Sequence, residues 1–179
     1  NLIDSLNCHN GGYIKYLNPV SDHSFAWHKF EECLRFPPDD CVIPYTSFLP
    51  TRSEIISNFE RHGLHLRNLS LHNFLGIHHK GVTWERICAG LSYLFRHGIS
   101  RSIPFPLVEG YSDFIVVPRS AWKRFAYLCG VFAAMNLWVD AAVATALALA
   151  CGKIFSECDH NLHGVELWGN DQAQPEQEY

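Results

Sequence analysis

Basic charge is scarce in this sequence, and what there is does not cluster. Lys and Arg number 14 against 18 Asp and Glu, giving a formal net charge of −4, and no basic run exceeds Lys123-Arg124. Polyanions are held by clustered cations that displace condensed counterions, so no nucleic-acid partner is expected. Charge of either sign is sparse at 18%, while hydrophobic residues reach 47%. A disordered chain has the opposite balance. Internal repeats and low-complexity tracts are absent. So are the nucleotide fingerprints G-x-G-x-x-G and the P-loop, and the G-x-S-x-G elbow of serine hydrolases. Asp39-Asp40 stand side by side rather than as D-x-D, and a capped turn after Pro37-Pro38 accounts for them equally well.

Long apolar runs are lacking too. The stretch 125–150 is interrupted by Asn136 and Asp140, and a mid-helix Asp costs roughly 2.5–3.5 kcal/mol on insertion into a bilayer. The unbroken part, 141–151, falls short of the ~20 residues that cross one. Two packed core helices are expected there, and no membrane span. Methionine occurs once, at Met135, and the chain opens at Asn1; the expectation is the carboxyl-terminal part of a larger protein. Seven cysteines, at 8, 33, 41, 88, 129, 151 and 158, make an odd set with no secretory segment before them. That pattern predicts reduced thiols and a cytoplasmic location.

What is present demands a core. Twelve Phe, seven Tyr and five Trp in 179 residues need burial, and the length suffices for one domain. Gly11-Gly12 reads as a turn before a strand at 13–17. Trp27, Phe30, Cys33 and Leu34 have helical spacing across 21–36, which Pro37-Pro38 ends. Residues 41–48 are β-rich, with Pro44 restricting them to an edge strand or extended loop. Thr51-Arg52-Ser53-Glu54 is a capping box opening a helix that buries Ile55, Ile56 and Phe59 and stops near Gly63. Residues 64–82 read as irregular and His-rich. A helix after Thr83 carries Trp84, Ile87, Cys88, Leu91, Leu94 and Phe95 on one face, closed by His97-Gly98; Trp84, Leu91 and Phe95 are expected to be buried.

From Pro104 onward the pattern is clearest. A turn at 109–113 leads into a strand at 114–117, and Pro118 suits the first turn of a helix. That helix places Trp122, Phe125, Ala126 and Cys129 inward, and Arg119, Lys123 and Arg124 outward. Asn136 is expected to cap a second helix, 136–151, apolar nearly all round and therefore central. Short strands near 153–155 and 165–168 complete the core. The fold class is α/β, mixed helices and short strands in one compact unit: residues 1–169 form a single domain or partial domain, and 170–179 a polar tail.

Chemistry concentrates in the turn at 109–113. Glu109 or Asp113 could bind a substrate hydroxyl or accept its proton, with Tyr111 and Ser112 between them as substrate-binding groups; alternatively Asp113 satisfies backbone donors in its turn. Asp140 sits in an apolar helix, where a carboxylate must be paired or line a wet cavity, though a first-turn position also suits the helix dipole. Eleven histidines make chance pairs easy. Neither Cys158, His160 and His163, nor His62 with His65, nor His78-His79 has a zinc-site spacing, so no metal is assigned within the chain.

Two segments carry a resemblance. One reads Glu-Gly-Tyr-Ser-Asp-Phe-Ile-Val-Val-Pro over 109–118; the other, 129–147, contains Leu-Trp-Val-Asp-Ala-Ala-Val-Ala-Thr-Ala-Leu at 137–147. Together they resemble the later half of bacterial GT-A-type glycosyltransferase-like proteins, over about a quarter of the chain. Trp138, Asp140 and Ala144 stand where that pattern has Phe, Glu and Pro. The resemblance implies the carboxyl-terminal part of a GT-A-like, Rossmann-like fold, whose amino-terminal half would precede Asn1. It implies transfer of a sugar from a sugar nucleotide to a carbohydrate or other hydroxyl acceptor, with Asp113 or Glu109 as base and Tyr111, Ser112 and Asp140 near the substrate. A divalent metal, Mn or Mg, would be held by a D-x-D motif upstream of this chain. The residues themselves leave a non-catalytic binding or scaffold module open as the alternative, its buried carboxylates structural.

Overall fold

The computed structural model describes residues 11–23, 27, 29–37, 48–66, 71–77, 82–97 and 105–160. The chain is mixed α/β, as expected, with helices around two small sheets. In the first sheet β1 (Gly12–Ile14) is central. It pairs antiparallel with β4 (Ile115–Val116) and parallel with β5 (Ile154–Phe155). The second sheet joins β2 (Asn18–Pro19) to β3 (Val108–Glu109), antiparallel, with Asn18 opposite Glu109 and Pro19 opposite Val108. The Val20 amide donates to the Leu107 carbonyl at 3.0 Å, one step along the same register. Pro19 therefore falls at a position whose backbone groups are not exchanged between the strands, and its missing N–H costs the ladder nothing.

Among the described residues the helices are α1 (Phe30–Leu34), α2 (Arg52–Arg61), α3 (Leu71–Leu75), α4 (Trp84–His97), α5 (Trp122–Ala134), α6 (Val139–Ala150) and α7 (Glu157–His160). At α2 the capping box forms as read. The Glu54 amide donates to Thr51 Oγ1 at 3.4 Å, and Thr51 N donates to Glu54 Oε2 at 2.7 Å. The Thr51 hydroxyl also donates to Glu54 Oε2 at 2.7 Å, and this bond, with the one from the Thr51 amide, lowers the Glu54 carboxyl from its ordinary value. Ile55 and Phe59 are buried, Ile56 is partly so, and Gly63 ends the turn at φ 74°.

The centre of the molecule is α6. Eight of its twelve residues are buried, six of them small: Ala141, Ala142, Ala144, Thr145, Ala146 and Ala148. Small side chains let α5, β3 and α2 approach its axis closely, which is why a helix without a polar face is stable only here. A β-carbon at Gly12 would lie 2.8 Å from Cys151 Sγ and 3.2 Å from a Leu147 methyl, so β1 can cross the end of α6 only with glycine there. Thr145 is fully buried, and its hydroxyl accepts from the Val108 amide at 3.1 Å and donates to the Val108 carbonyl at 3.0 Å. Those are the groups that point away from β2. One threonine thus satisfies the open edge of β3 where a third strand would otherwise be needed.

Several sequence expectations give way. Among the described residues, the helix expected over 21–36 is limited to a 3-10 turn at Val20–Asp22 and to α1, which carries Phe30, Cys33 and Leu34 of the helical spacing and buries all three. The first strand ends at Ile14 rather than at 17. The 64–82 stretch contains α3, too short to give a periodic signal. Asn136 does not cap α6. It takes φ 54° after α5, where the amides of Asn136 and Leu137 return to the carbonyls of Ala133 and Phe132, both at 3.0 Å. This is a Schellman ending, and Asn tolerates its left-handed position better than most residues. α6 begins instead at Val139, with Trp138 ahead of it. Trp122 and Ala126 are exposed rather than inward, because α5 starts at Trp122, after a turn closed by Ala121 N to Pro118 O, and buries Phe125, Leu128 and Phe132. On α4, Trp84, Leu91 and Phe95 are exposed by 77%, 45% and 94%. Residues 41–47 of the expected edge strand or extended loop, the strand expected at 165–168 and the tail 170–179 lie outside the described residues.

Among the described residues no helix is long and apolar enough to cross a membrane. Cys33, Cys88, Cys129, Cys151 and Cys158 are free thiols. Burial, aided by Glu32 and Glu109, pushes the Cys33 thiol up to about 12, and burial raises Cys151 to about 11. Neither is a nucleophile near neutral pH.

Candidate functional site

The 109–113 turn is placed by three neighbours. β3 delivers Glu109 against β2, α6 backs it through Thr145, and Gly110 passes through a gap that only glycine fits. A β-carbon there would lie 2.4 Å from the Tyr16 carbonyl oxygen and 2.8 Å from Ile14 Cδ1. The backbone of the turn is thereby pinned at one end before Tyr111, Ser112 and Asp113 emerge towards solvent.

Glu109 is buried, with its side chain 9% exposed. A carboxylate taken out of water needs polar partners, and among the described residues two side chains reach it. Asn18 Nδ2 donates to Oε1 at 3.0 Å, and His23 Nε2 reaches the same oxygen at 3.1 Å. The His23 ring stacks on Trp27 with centroids 4.5 Å apart. Glu109 therefore holds the ring of a partly exposed histidine in place.

Asp140 lies in the first turn of α6, half-buried, and accepts a hydrogen bond from Ser112 Oγ. Helix-dipole compensation and pairing with the turn apply together here. Tyr111 is half-buried, with Lys15 Nζ 5.3 Å from its ring centroid. Asp113 is exposed, and among the described residues no hydrogen bond or ion pair engages its carboxylate. It does not cap its own turn. Ser112 and Asp140 are thus brought together across the turn, Glu109 faces inward to its own partners, and Asp113 faces out.

Asn18, His23, Lys15 and Thr145 were not legible as members of this region. Their contacts run to residues far along the chain, as in Asn18 to Glu109, and no local spacing marks them. Of the histidines considered for metal, His62 uses Nε2 on the Ala148 carbonyl at 3.0 Å. Burial lowers its imidazole from the usual value despite that bond. Among the described residues no group of three or more His, Cys, Asp or Glu could hold a metal ion; His78, His79 and His163 lie outside them. No protein family matches the chain, and neither does any curated protein or any solved structure.

Proposed function

We propose that this chain forms the acceptor side of a sugar-transfer enzyme, carrying a sugar from a nucleotide-sugar donor to a hydroxyl acceptor. The supporting observation is the turn at 109–113. It places an unengaged carboxylate, Asp113, two residues from an aromatic ring, Tyr111, beside the Ser112–Asp140 pair. Carbohydrates are bound by such groupings of a few polar side chains with an apolar face. Asp113 accepts the acceptor hydroxyl's proton as the oxygen bonds to the anomeric carbon, while the bond to the nucleotide breaks and the diphosphate departs with its electron pair. Glu109 is the weaker candidate for base, because both of its contacts are internal donors. Tyr111 supplies the aromatic surface beside the sugar, and Ser112 and Asp140 orient its hydroxyls.

The alternative of a non-catalytic binding or scaffold module draws on one observation, the internal engagement of Glu109 and Asp140. Asp113→Asn separates the two. A general base contributes ~10²–10⁴-fold, so the variant of the full-length protein should lose that much sugar-dependent release of nucleotide diphosphate across a panel of nucleotide sugars, with an unchanged melting curve. Turnover equal to wild type ends the assignment of Asp113. No turnover by the wild type with any donor favours the scaffold.

A further inference from the structure

The outward face of α5 is divided along its length. Cations stand at its amino-terminal end: Arg119 in the preceding turn, then Lys123 and Arg124, all exposed. Among the described residues none of the three enters a hydrogen bond or an ion pair; Arg124 acts on Glu54 only at longer range. Glu54 itself is turned to the start of α2 by two bonds from Thr51. Beyond the cations the face becomes apolar and small, with Ala126, Gly130 and Ala134 at intervals of four. Two cavities lie along this track. One, of about 340 Å³, is lined by Leu49, Pro50, Glu54 and Arg124. The other, of about 430 Å³, is lined by Ala126, Gly130, Val131, Ala134 and Met135. Phe48 and Tyr127 line both, and Tyr127 Oη donates to the Phe48 carbonyl at 3.2 Å, so the two cavities adjoin under one clasp.

We infer that this groove binds a single-chain anionic amphiphile, its phosphate or carboxylate head at Lys123 and Arg124 and its alkyl chain along Ala126, Gly130 and Ala134. Charge complementarity selects the head, since three exposed cations, Arg119, Lys123 and Arg124, outnumber the single carboxylate, Glu54, that lines the cavity at this end. Shape selects the tail. The ten steps from Arg124 to Ala134 advance ~15 Å along the helix, and a track of small side chains leaves a trough where larger ones would fill it. A β-carbon at Gly130 would meet nothing within 4 Å. The cavities favour one molecule held in a groove over adsorption of the helix onto a membrane surface, which needs no cavity. This site is independent of the sugar-transfer reading, since it shares no residue with the 109–113 turn.

The test is calorimetric titration of the protein with dodecyl phosphate below its critical micelle concentration. Inorganic phosphate, dodecyl maltoside and anionic vesicles serve as the other arms. Dodecyl phosphate should bind with an affinity that falls as salt rises, and inorganic phosphate should not bind measurably. Gly130→Leu fills the trough without displacing a neighbour and raises helix propensity. Excluding about two methylene groups from the groove weakens binding about tenfold or more, with an unchanged circular dichroism spectrum. Ala134→Leu is the second variant of the same kind. The double change Lys123→Gln/Arg124→Gln should weaken binding and flatten its salt dependence. Absence of binding, or binding unchanged in both Leu variants, overturns the site. Equal affinity for dodecyl maltoside overturns the anionic head, and binding to vesicles alone assigns the face to a membrane surface instead.

Discussion

Helices α4 and α6 both read as core helices, and they end in opposite surroundings. α6 has no polar face and is wrapped by α5, β3 and α2, with Ala144, Ala146, Leu147 and Ala148 fully buried. α4 carries the stronger amphipathic stripe, with Trp84, Cys88, Leu91 and Phe95 recurring at steps of four, three and four, yet all four are exposed. Its contacts are made on another side, through Gly90, Tyr93 and Leu94. Tyr93 lies 6.1 Å from Phe74 and Arg35 lies over its ring. A helix apolar all round has no choice of face, because any exposure costs hydrophobic free energy. A striped helix shows only that one face differs from the other; which side meets the core depends on what the rest of the chain presents to it.

The comparison is sharpest at Leu147. Its removal to Ala in a site walled by Gly12 and its neighbours should cost ~2–5 kcal/mol, read as a lower denaturant midpoint at constant m-value. A loss below ~1 kcal/mol would mean that α6 is not packed as described. Next comes Thr145→Val, which keeps the shape but strands the Val108 amide and carbonyl. Each unsatisfied buried group costs ~1–3 kcal/mol, so unfolding should shift measurably and the Val108 amide should exchange faster with deuterium. The corresponding experiment on α4 is Phe95→Gln, expected to change stability by no more than about 0.5 kcal/mol. A loss of ~2 kcal/mol would show that this face is buried in solution and would erase the contrast.

A smaller effect ties α2 to α6 through His62. Its folded-state value lies below the usual imidazole value of about 6.5, because burial disfavours the charged ring. The unfolded chain therefore binds more protons between those two values. Stability is fully present above about pH 6.5 and declines as pH falls towards the folded value, below which the penalty is constant. Wild type should lose melting temperature between pH 7 and the acid side of that window, and His62→Gln should lose less. An identical slope in the two proteins would remove His62 as the cause.

The site divides along similar lines. Sequence reasoning located the 109–113 turn because Gly, Tyr, Ser and Asp together mark a polar turn ahead of a strand, and it placed Asp140 in the first turn of its helix. It could not tell that Ser112 would donate to Asp140, or that Glu109 would spend its carboxylate on Asn18 and His23. Those pairings depend on β2 meeting β3, two strands of two residues each whose length gives no alternation to read. Asn136 was misassigned for a related reason: Asn serves both helix starts and left-handed helix ends, and only the backbone of the preceding turn decides between them.

The sequence by itself determined where α2, α4, α5 and α6 form, the capping box at Thr51 and the burial of α6. Each follows from groups within about one helical turn of one another, or from an apolar composition that leaves no alternative. Tertiary structure alone decided the order β4–β1–β5, the face α4 shows to water, the threonine that closes the edge of β3, and the partners of Glu109. Those depend on contacts between residues distant in the chain, such as Thr145 with Val108, Asn18 with Glu109 and Gly12 with Ile154, and their strength is set by register and close approach, which no local window of sequence contains.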